Sequence, residues 1–333
     1  GKMRNGLFVN NSYGKSKTAR FLSGGGKFAG SIDVGHGNVL SLGLGCEAKS
    51  PNANVAFQAP EMNNDFVQNL KNELVFSSEL SYQLSTPWLH ANLSGYYNRV
   101  TNATEWTCFY FDDINSFSYN ALTKLKKAYY GVELGMKFKL TSCLDLKALG
   151  TVSEAKNTSN AHVRYLNSTQ GNYKDDEAIV KGMRENGTPL TAASIGLSFH
   201  QQGWFIDLNG NYYDRIYLSY SPYYRYATSL KNIGATDSNG NYIVSPQDKG
   251  GFMLDASIGK NIRLRKGALA INLMVTNLLN NQKIVTGGYE QSRSDYSIKE
   301  DGTTSDRTYR FSKNPKKYHV YGMNGMLQVA YRF

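Results

Sequence analysis

The 333-residue sequence predicts an all-β fold: an antiparallel, up-and-down β-barrel wall that crosses a membrane with about twelve strands. Three observations predict it. Apolar and polar residues alternate with a period of two in segment after segment, as a strand with one apolar face requires. The connections between these segments alternate between short and long. The composition, with 24 Tyr and 32 Gly against 7 Pro, suits strands whose ends lie at two membrane–water interfaces.

A first strand is expected over residues 5–13. Residues 28–34 and 39–46 form a hairpin about Gly35, His36 and Gly37. Leu74, Phe76, Leu80, Tyr82 and Leu84 alternate with polar neighbours, turn at Ser85-Thr86-Pro87, and return through Leu89, Ala91, Leu93, Gly95 and Tyr97. Residues 128–140 place Leu134 and Met136 opposite Glu133 and Lys137, then turn at Thr141-Ser142 and come back through Leu144, Leu146 and Ala148. Hairpins follow over 193–212, about Gln201-Gln202-Gly203, and over 252–275, about Arg265-Lys266-Gly267. The last strand covers residues 321–333. Its apolar face carries Tyr321, Met323, Leu327, Val329, Tyr331 and Phe333. On this register Leu134, Leu146, Leu197, Leu273 and Val329 point outward, and Glu133, Lys137, Asn209, Asn272 and Gln328 point inward.

Between the tight turns lie long polar stretches, at about 48–72, 99–127, 153–188, 214–249 and 280–317. Structureless loops of this length are rare in compact soluble domains. In outer-membrane barrels they are usual, because short turns face the periplasm and long loops face outside. Trp88, Trp204 and Phe333 all fall at the short-turn end, where an interfacial aromatic belt belongs.

No run of eighteen apolar residues occurs and mean hydropathy is −0.46, which excludes a helical membrane protein. The net charge of +11 does not point to nucleic acid, since the basic residues are scattered through turns and loops. Basic loops beside lipopolysaccharide phosphates, or a route for anionic cargo, account for it. Cys46, Cys108 and Cys143 share no disulfide or metal spacing and read as inert thiols. Gly24-Gly25-Gly26-Lys27 lacks the spacing of a phosphate loop and reads as a flexible loop. Asp112-Asp113 and Asp175-Asp176-Glu177 read as solvated acidic loops, with bound calcium as the alternative. No hydrolase or metalloprotease motif is present, so no enzyme, cofactor or metal site is expected. The opening Gly1-Lys2-Met3-Arg4 leads into a strand-like run and not a secretory signal, so a fragment or a processed piece of an exported protein is expected.

Two stretches are candidates for cargo. Tyr217, Tyr220, Tyr223, Tyr224, Arg225 and Tyr226 gather five tyrosines and an arginine at one loop base. Aromatic faces with an arginine suit sugar rings, catecholate siderophores or porphyrins. Plain loop packing behind an aromatic girdle suits the same residues. Gly288 to Arg293, with Tyr289 and Arg293, is the second stretch, either folding inward against cargo or packing its own loop.

Several segments carry a family resemblance. AINLMVTNLLNNQKIVTGGYEQSRSDY (residues 270–296) resembles the penultimate strand and loop of TonB-dependent outer-membrane receptors. FQAPEMNNDFVQNLKNE (57–73) is similar to the stretch before a mid-barrel strand in that family. GTPLTAASIGLSFHQQGWFIDLNGNYYDRIYL (187–218) resembles a late hairpin of its larger members, those with a carboxypeptidase-regulatory-like amino-terminal domain. Leu327, Val329, Tyr331 and Phe333 resemble the carboxy-terminal signal read by the outer-membrane barrel assembly machinery. The resemblance implies the carboxy-terminal part of a 22-stranded barrel in the outer membrane of a Gram-negative bacterium, with plug and TonB-contacting segment outside residues 1–333. It implies uptake of a scarce nutrient, such as a siderophore, haem or a glycan. The implied partners are the TonB complex reached through the plug, outer-membrane lipid and lipopolysaccharide, and the assembly machinery, with room for a surface lipoprotein. The alternative is a passive twelve-stranded porin or autotransporter-type pore.

Overall fold

The computed structural model describes residues 15–111, 115–169, 171–228, 247–299 and 301–333. The strand expected over residues 5–13 lies outside them. In chain order the strands are β1 (Gly24–Gly35), β2 (Asn38–Lys49), β3 (Glu73–Ser85), β4 (Leu89–Phe111), β5 (Ser116–Lys139), β6 (Leu144–Asn157), β7 (Ala161–Asn167), β8 (Tyr173–Ala178), β9 (Thr191–Gln201) and β10 (Trp204–Asp214). They continue as β11 (Ile216–Tyr217), β12 (Gln247–Asp248), β13 (Gly251–Leu264), β14 (Gly267–Thr276), β15 (Val285–Tyr289), β16 (Tyr296–Ile298), β17 (Thr304–Asp306), β18 (Lys316–His319) and β19 (Asn324–Arg332). One 13-stranded sheet holds the wall, in the order β1-β2-β3-β4-β5-β6-β9-β10-β13-β14-β19, with β7 on β5 and β8 on β7. Every pairing in it is antiparallel, and the eleven strands of that path match the expected ones after the first. Among the described residues, β1 and β19 are its two open edges.

Register shows why the sequence alternates. Leu144, Phe199, Ile206, Ile258, Leu273 and Leu327 stand side by side across six strands. One residue along, Asp145, Ser198, Asp207 and Ser257 line the opposite face. On that face Ser198 Oγ donates to Asp207 Oδ1 (2.5 Å) and Asn211 Nδ2 to Asp255 Oδ2 (2.8 Å), so inward polar groups satisfy one another. The outward row stays exposed, with Leu197 at 42% and Val329 at 60%. A continuous apolar face of this extent is uncovered by protein and suited to hydrocarbon.

The turns explain the narrow rim. In the β1–β2 turn His36 takes φ 54° between Gly35 and Gly37, both also left-handed. A Cβ on Gly37 would meet the Ser85 carbonyl oxygen at 2.0 Å, so the two neighbouring hairpins close on each other only with glycine there. Trp88 stacks on Phe138 (6.3 Å between centroids) at this rim, beside Lys139 N–H donating to Trp88 O.

Four expectations change. Residues 99–127 are not a structureless loop: β4 and β5 stay paired out to Phe111 and Ser116, through bulges at Thr101/Ala103 and Ala103/Glu105. The stretch is polar, but its Thr, Tyr, Trp and Phe are strand formers. Residues 153–188 likewise hold the end of β6 and all of β7 and β8. Gly24, Gly25 and Gly26 are not a loop but open β1, where a Cβ on Gly25 would lie 2.7 Å from Cys46 O. The terminal strand starts at Asn324, not Tyr321. The preceding residues are tied to the 277–281 turn, with Asn277 Nδ2 donating to Tyr321 O (2.9 Å) and Met323 N to Asn280 Oδ1 (2.9 Å).

A single-layer wall has no interior, so its buried core lies elsewhere. Leu122, Leu125, Val163, Ala178, Val180, Met183 and Tyr226 pack together above the wall, where the long connections meet.

Candidate functional site

The long connections form one crown. The 50–72 segment is pinned to the β5–β7 arm by Gln58, whose Nε2 donates to Arg164 O (2.8 Å) and Tyr119 O (3.3 Å). Tyr173 of β8 donates to Asp65 Oδ2 (2.6 Å) and accepts from Asn63 Nδ2 (2.8 Å). Backbone bonds carry the seam onward: Ile179 N to Arg225 O (2.7 Å), Gly187 N to Tyr217 O (3.1 Å), Ser219 N to Gly288 O (2.9 Å) and Glu290 N to Ser219 O (2.9 Å). All five long connections are thereby joined.

The first predicted cargo stretch sits inside this seam. Arg225 is 1% exposed and its Nη2 donates to both Glu290 carboxylate oxygens, at 2.9 and 3.1 Å. Glu290 also accepts from Ser221 N (2.8 Å). Tyr226 is buried, stacks on Tyr165 (5.0 Å) and hydrogen-bonds Asn120. Tyr224 donates to Gln291 O (2.6 Å) and Arg293 O (3.0 Å), and Tyr217 to Gln247 Oε1 (3.1 Å). Tyr223 lies edge-on to Tyr226. Of the second stretch, Tyr289 is 44% exposed beside Tyr318, and the Arg293 guanidinium lies 4.7 Å over the Phe311 ring. The structure thus brings the two stretches together, through Arg225–Glu290, Tyr224–Gln291 and Ser221–Ser292.

Tyr220 points into a different neighbourhood, a recess of about 340 Å³ lined by Glu105, Trp106, Asn157, Arg184 and Glu185. Its hydroxyl donates to Glu105 Oε2 (3.2 Å) and accepts from Asn157 Nδ2 (3.4 Å). Lys127 joins Glu105 to Glu185, the latter at 2.7 Å. Burial alone would pull the Lys127 ammonium down, but the two carboxylates outweigh it and hold its pKa above the ordinary value. Sequence reading missed Glu105, Lys127 and Glu185. Their separations of 22 and 58 residues leave no local pattern, and each resembles an ordinary loop charge.

The phenols here are donors and stacking faces, not anionic ligands. Burial pushes Tyr220 and Tyr226 well above the ordinary tyrosine pKa, and the nearby Glu105 and Tyr165, respectively, add to it. Burial, then the Glu61 charge, pushes the Cys108 thiol up to about 11, which suits the inert role expected of it. The Asp175-Asp176-Glu177 run lies on strand β8, not in a loop. Asp175 faces His162 Nε2 (3.2 Å), Asp176 accepts from Thr228 and Glu177 from Asn160 (3.1 Å). Among the described residues no group of His, Cys, Asp or Glu converges on a metal position; Asp112-Asp113 lies outside them.

Compared with known families, residues 49–278 match one described as TonB dependent receptor-like, beta-barrel. Among solved structures, the copper transporter OprC is similar at 16% identity and a TM-score of 0.57, over 92% of this chain and 40% of its own. A mutant of the ferric enterobactin receptor PfeA from Pseudomonas aeruginosa is similar at 14% identity and a TM-score of 0.54, over 92% and 40%. The FrpB iron transporter from Neisseria meningitidis follows at 14% and 0.52, over 92% and 39%. At these identities the likeness is one of fold, and the chain spans about 40% of each structure's length. No curated protein sequence matches.

Proposed function

The chain belongs to the TonB-dependent receptor-like β-barrel family, and on that premise we propose that it forms part of the wall and outer mouth of a larger barrel that imports a scarce nutrient. The family is one of receptors, and no bond-making chemistry is assigned to it. In this reading the two open edges at β1 and β19 pair with further strands, because unpaired backbone groups are not tolerated in hydrocarbon. The barrel sits in a Gram-negative outer membrane. A plug inside the lumen links it to the TonB complex, and the barrel assembly machinery inserts it through the strand ending in Leu327, Val329, Tyr331 and Phe333.

The observation that carries the cargo reading is the knitted crown over a polar, lumen-side recess. Tyr220 supplies a neutral hydroxyl at the recess, with Glu105 and Glu185 around it. Tyr289 and Arg293 supply exposed aromatic and cationic surface, while Tyr217, Tyr223, Tyr224, Arg225 and Tyr226 hold the seam that positions them. Ring-bearing cargo with polar substituents fits such a bed, whether ferric catecholate, haem or oligosaccharide.

The test is uptake of those three cargo classes by cells carrying the full-length protein, with and without TonB. Import of one class that disappears without TonB supports the reading. Import that survives loss of TonB is the outcome of a passive pore and rejects it.

A further inference from the structure

The outward face of the wall carries a built recess between β3 and β6 that neither transport nor cargo capture uses. Two outward rows bound it. One is Leu80, Gly95, Val132 and Val152; the next row toward the crown is Ser78, Tyr97, Tyr130 and Glu154. Because Gly95 and Ser78 are small, the rows enclose a groove of about 760 Å³. Leu80, Val132 and Val152 along it are each more than half exposed.

The row above the groove is basic. Arg99 and Lys156 flank Ala128 on neighbouring strands, and Lys126 lies next along β5 on the same face. Lys156 Nζ sits 5.5 Å over the Tyr130 ring. Among the described residues, Arg99, Lys126 and Lys156 join none of the ion pairs. The carboxylate beside them, Glu154, is taken by Arg184 Nε (3.0 Å) and by Arg215. The next outward carboxylate, Asp214, lies two strands away and accepts from the Tyr212 hydroxyl. Five cationic side chains thus meet one neutralised carboxylate. In the same paired row on the neighbouring strands β3 and β2 the outward residues are Phe76 and Cys46, so the cations stop at β4 on that side.

We propose that this facet binds one phosphorylated lipid of the outer leaflet, its phosphate held by Arg99, Lys126 and Lys156 and one acyl chain lying in the groove over Gly95. The inference rests on the outer-membrane reading above. Tyr97 and Tyr130 sit between the cations and the apolar groove, at the level where an interfacial aromatic belt meets headgroups. Cations facing a low-dielectric surface without an ion-pair partner among the described residues are stabilised by anionic headgroups, and each contributes separately.

Full-length protein extracted from outer membranes in mild detergent, stripped of lipid and titrated with lipid A, tests this by native mass spectrometry. Heat-modifiability confirms that each variant is folded. Wild type should hold one bisphosphorylated lipid A and bind the dephosphorylated form much less. R99E/K126E/K156E should weaken binding of the phosphorylated form on the order of tenfold or more. G95L should weaken it with all cations in place, since a Cβ there meets nothing closer than 3.9 Å and its side chain fills the groove. Equal binding by the triple variant, equal binding of dephosphorylated lipid A, or displacement by inorganic phosphate would overturn the site. TonB-dependent uptake is scored on the same cells. Uptake that fails while lipid binding follows the expected pattern rejects the transport reading and leaves the site standing. Wild-type protein absent from the outer membrane removes both.

Discussion

Glu290 accepts three hydrogen bonds at once: both of its oxygens accept from Arg225, and one also accepts from Ser221 N. Removing it strands a guanidinium that is 1% exposed, whose Nε already has no partner. Breaking such a pair costs roughly 3–5 kcal/mol, whereas replacing both partners by apolar side chains costs far less. E290A should therefore raise hydrogen exchange across residues 216–226, and R225M/E290L should restore much of the protection; equal exchange in E290A and wild type would contradict the seam. Acid should act at Asp248. Burial opposes its ionisation, but the hydrogen bond and charge of Lys317, at 2.5 Å, and the Lys249 N–H prevail, so its pKa lies below the ordinary carboxyl value. A depressed folded pKa adds stability that is full above the unfolded value, about 3.9, and is lost as pH falls through the folded one. Protection of residues 247–248 and 316–317 should hold at pH 5 and fall at lower pH in wild type, while D248N should lose that dependence. An unchanged acid response in D248N would assign it elsewhere.

At the scale of strands, the two faces should answer oppositely to charge. Arg in place of Leu197 or Leu273 should cost roughly 2–4 kcal/mol where the strand crosses the bilayer midplane, read from denaturant unfolding in lipid. Lys in place of Asn209 or Gln328, on the inward rows, should cost little. The reverse order would mean a register slipped by one residue. Deleting Phe333 should lower the outer-membrane level of the full-length protein severalfold. Tyr331, whose hydroxyl bonds Lys266 O and whose ring meets Phe333 at 5.5 Å, then loses its neighbour at the end of β19. The wall was legible in the sequence because its signal is local: a period of two between short turns, as at Leu134–Glu133 or Leu197–Ser198. The crown was not. Gln58 finds Arg164 across 106 residues and Tyr226 finds Asn120 across 106, and segments such as 101–110 bury residues on both faces, which erases the alternation. The tyrosine cluster was visible as composition, but not that Arg225 would face inward to Glu290.

For the molecule as a whole, the wall and the crown depend on different solvents. On the proposed reading the wall faces hydrocarbon and pairs its edges at β1 and β19 with further strands. Residues 1–333 expressed alone should therefore show no energy-dependent uptake and should aggregate or pair non-natively; uptake by that piece in cells lacking the full-length gene would reject the shared-wall arrangement. The crown, in contrast, has its own dry cluster of Leu122, Leu125, Val163, Val180 and Tyr226 and should keep its protection in detergent. Its seam also bears on heredity. Arg225 with Glu290, Tyr226 with Asn120 and Tyr173 with Asp65 each join different connections, so a change in one partner is harmful until the other changes. The Tyr289 ring, 44% exposed, lies at the edge of the seam and is less constrained. Recombination between relatives should succeed when these connections are exchanged as a block and fail when one is grafted alone, so new cargo specificities would be inherited as whole crowns.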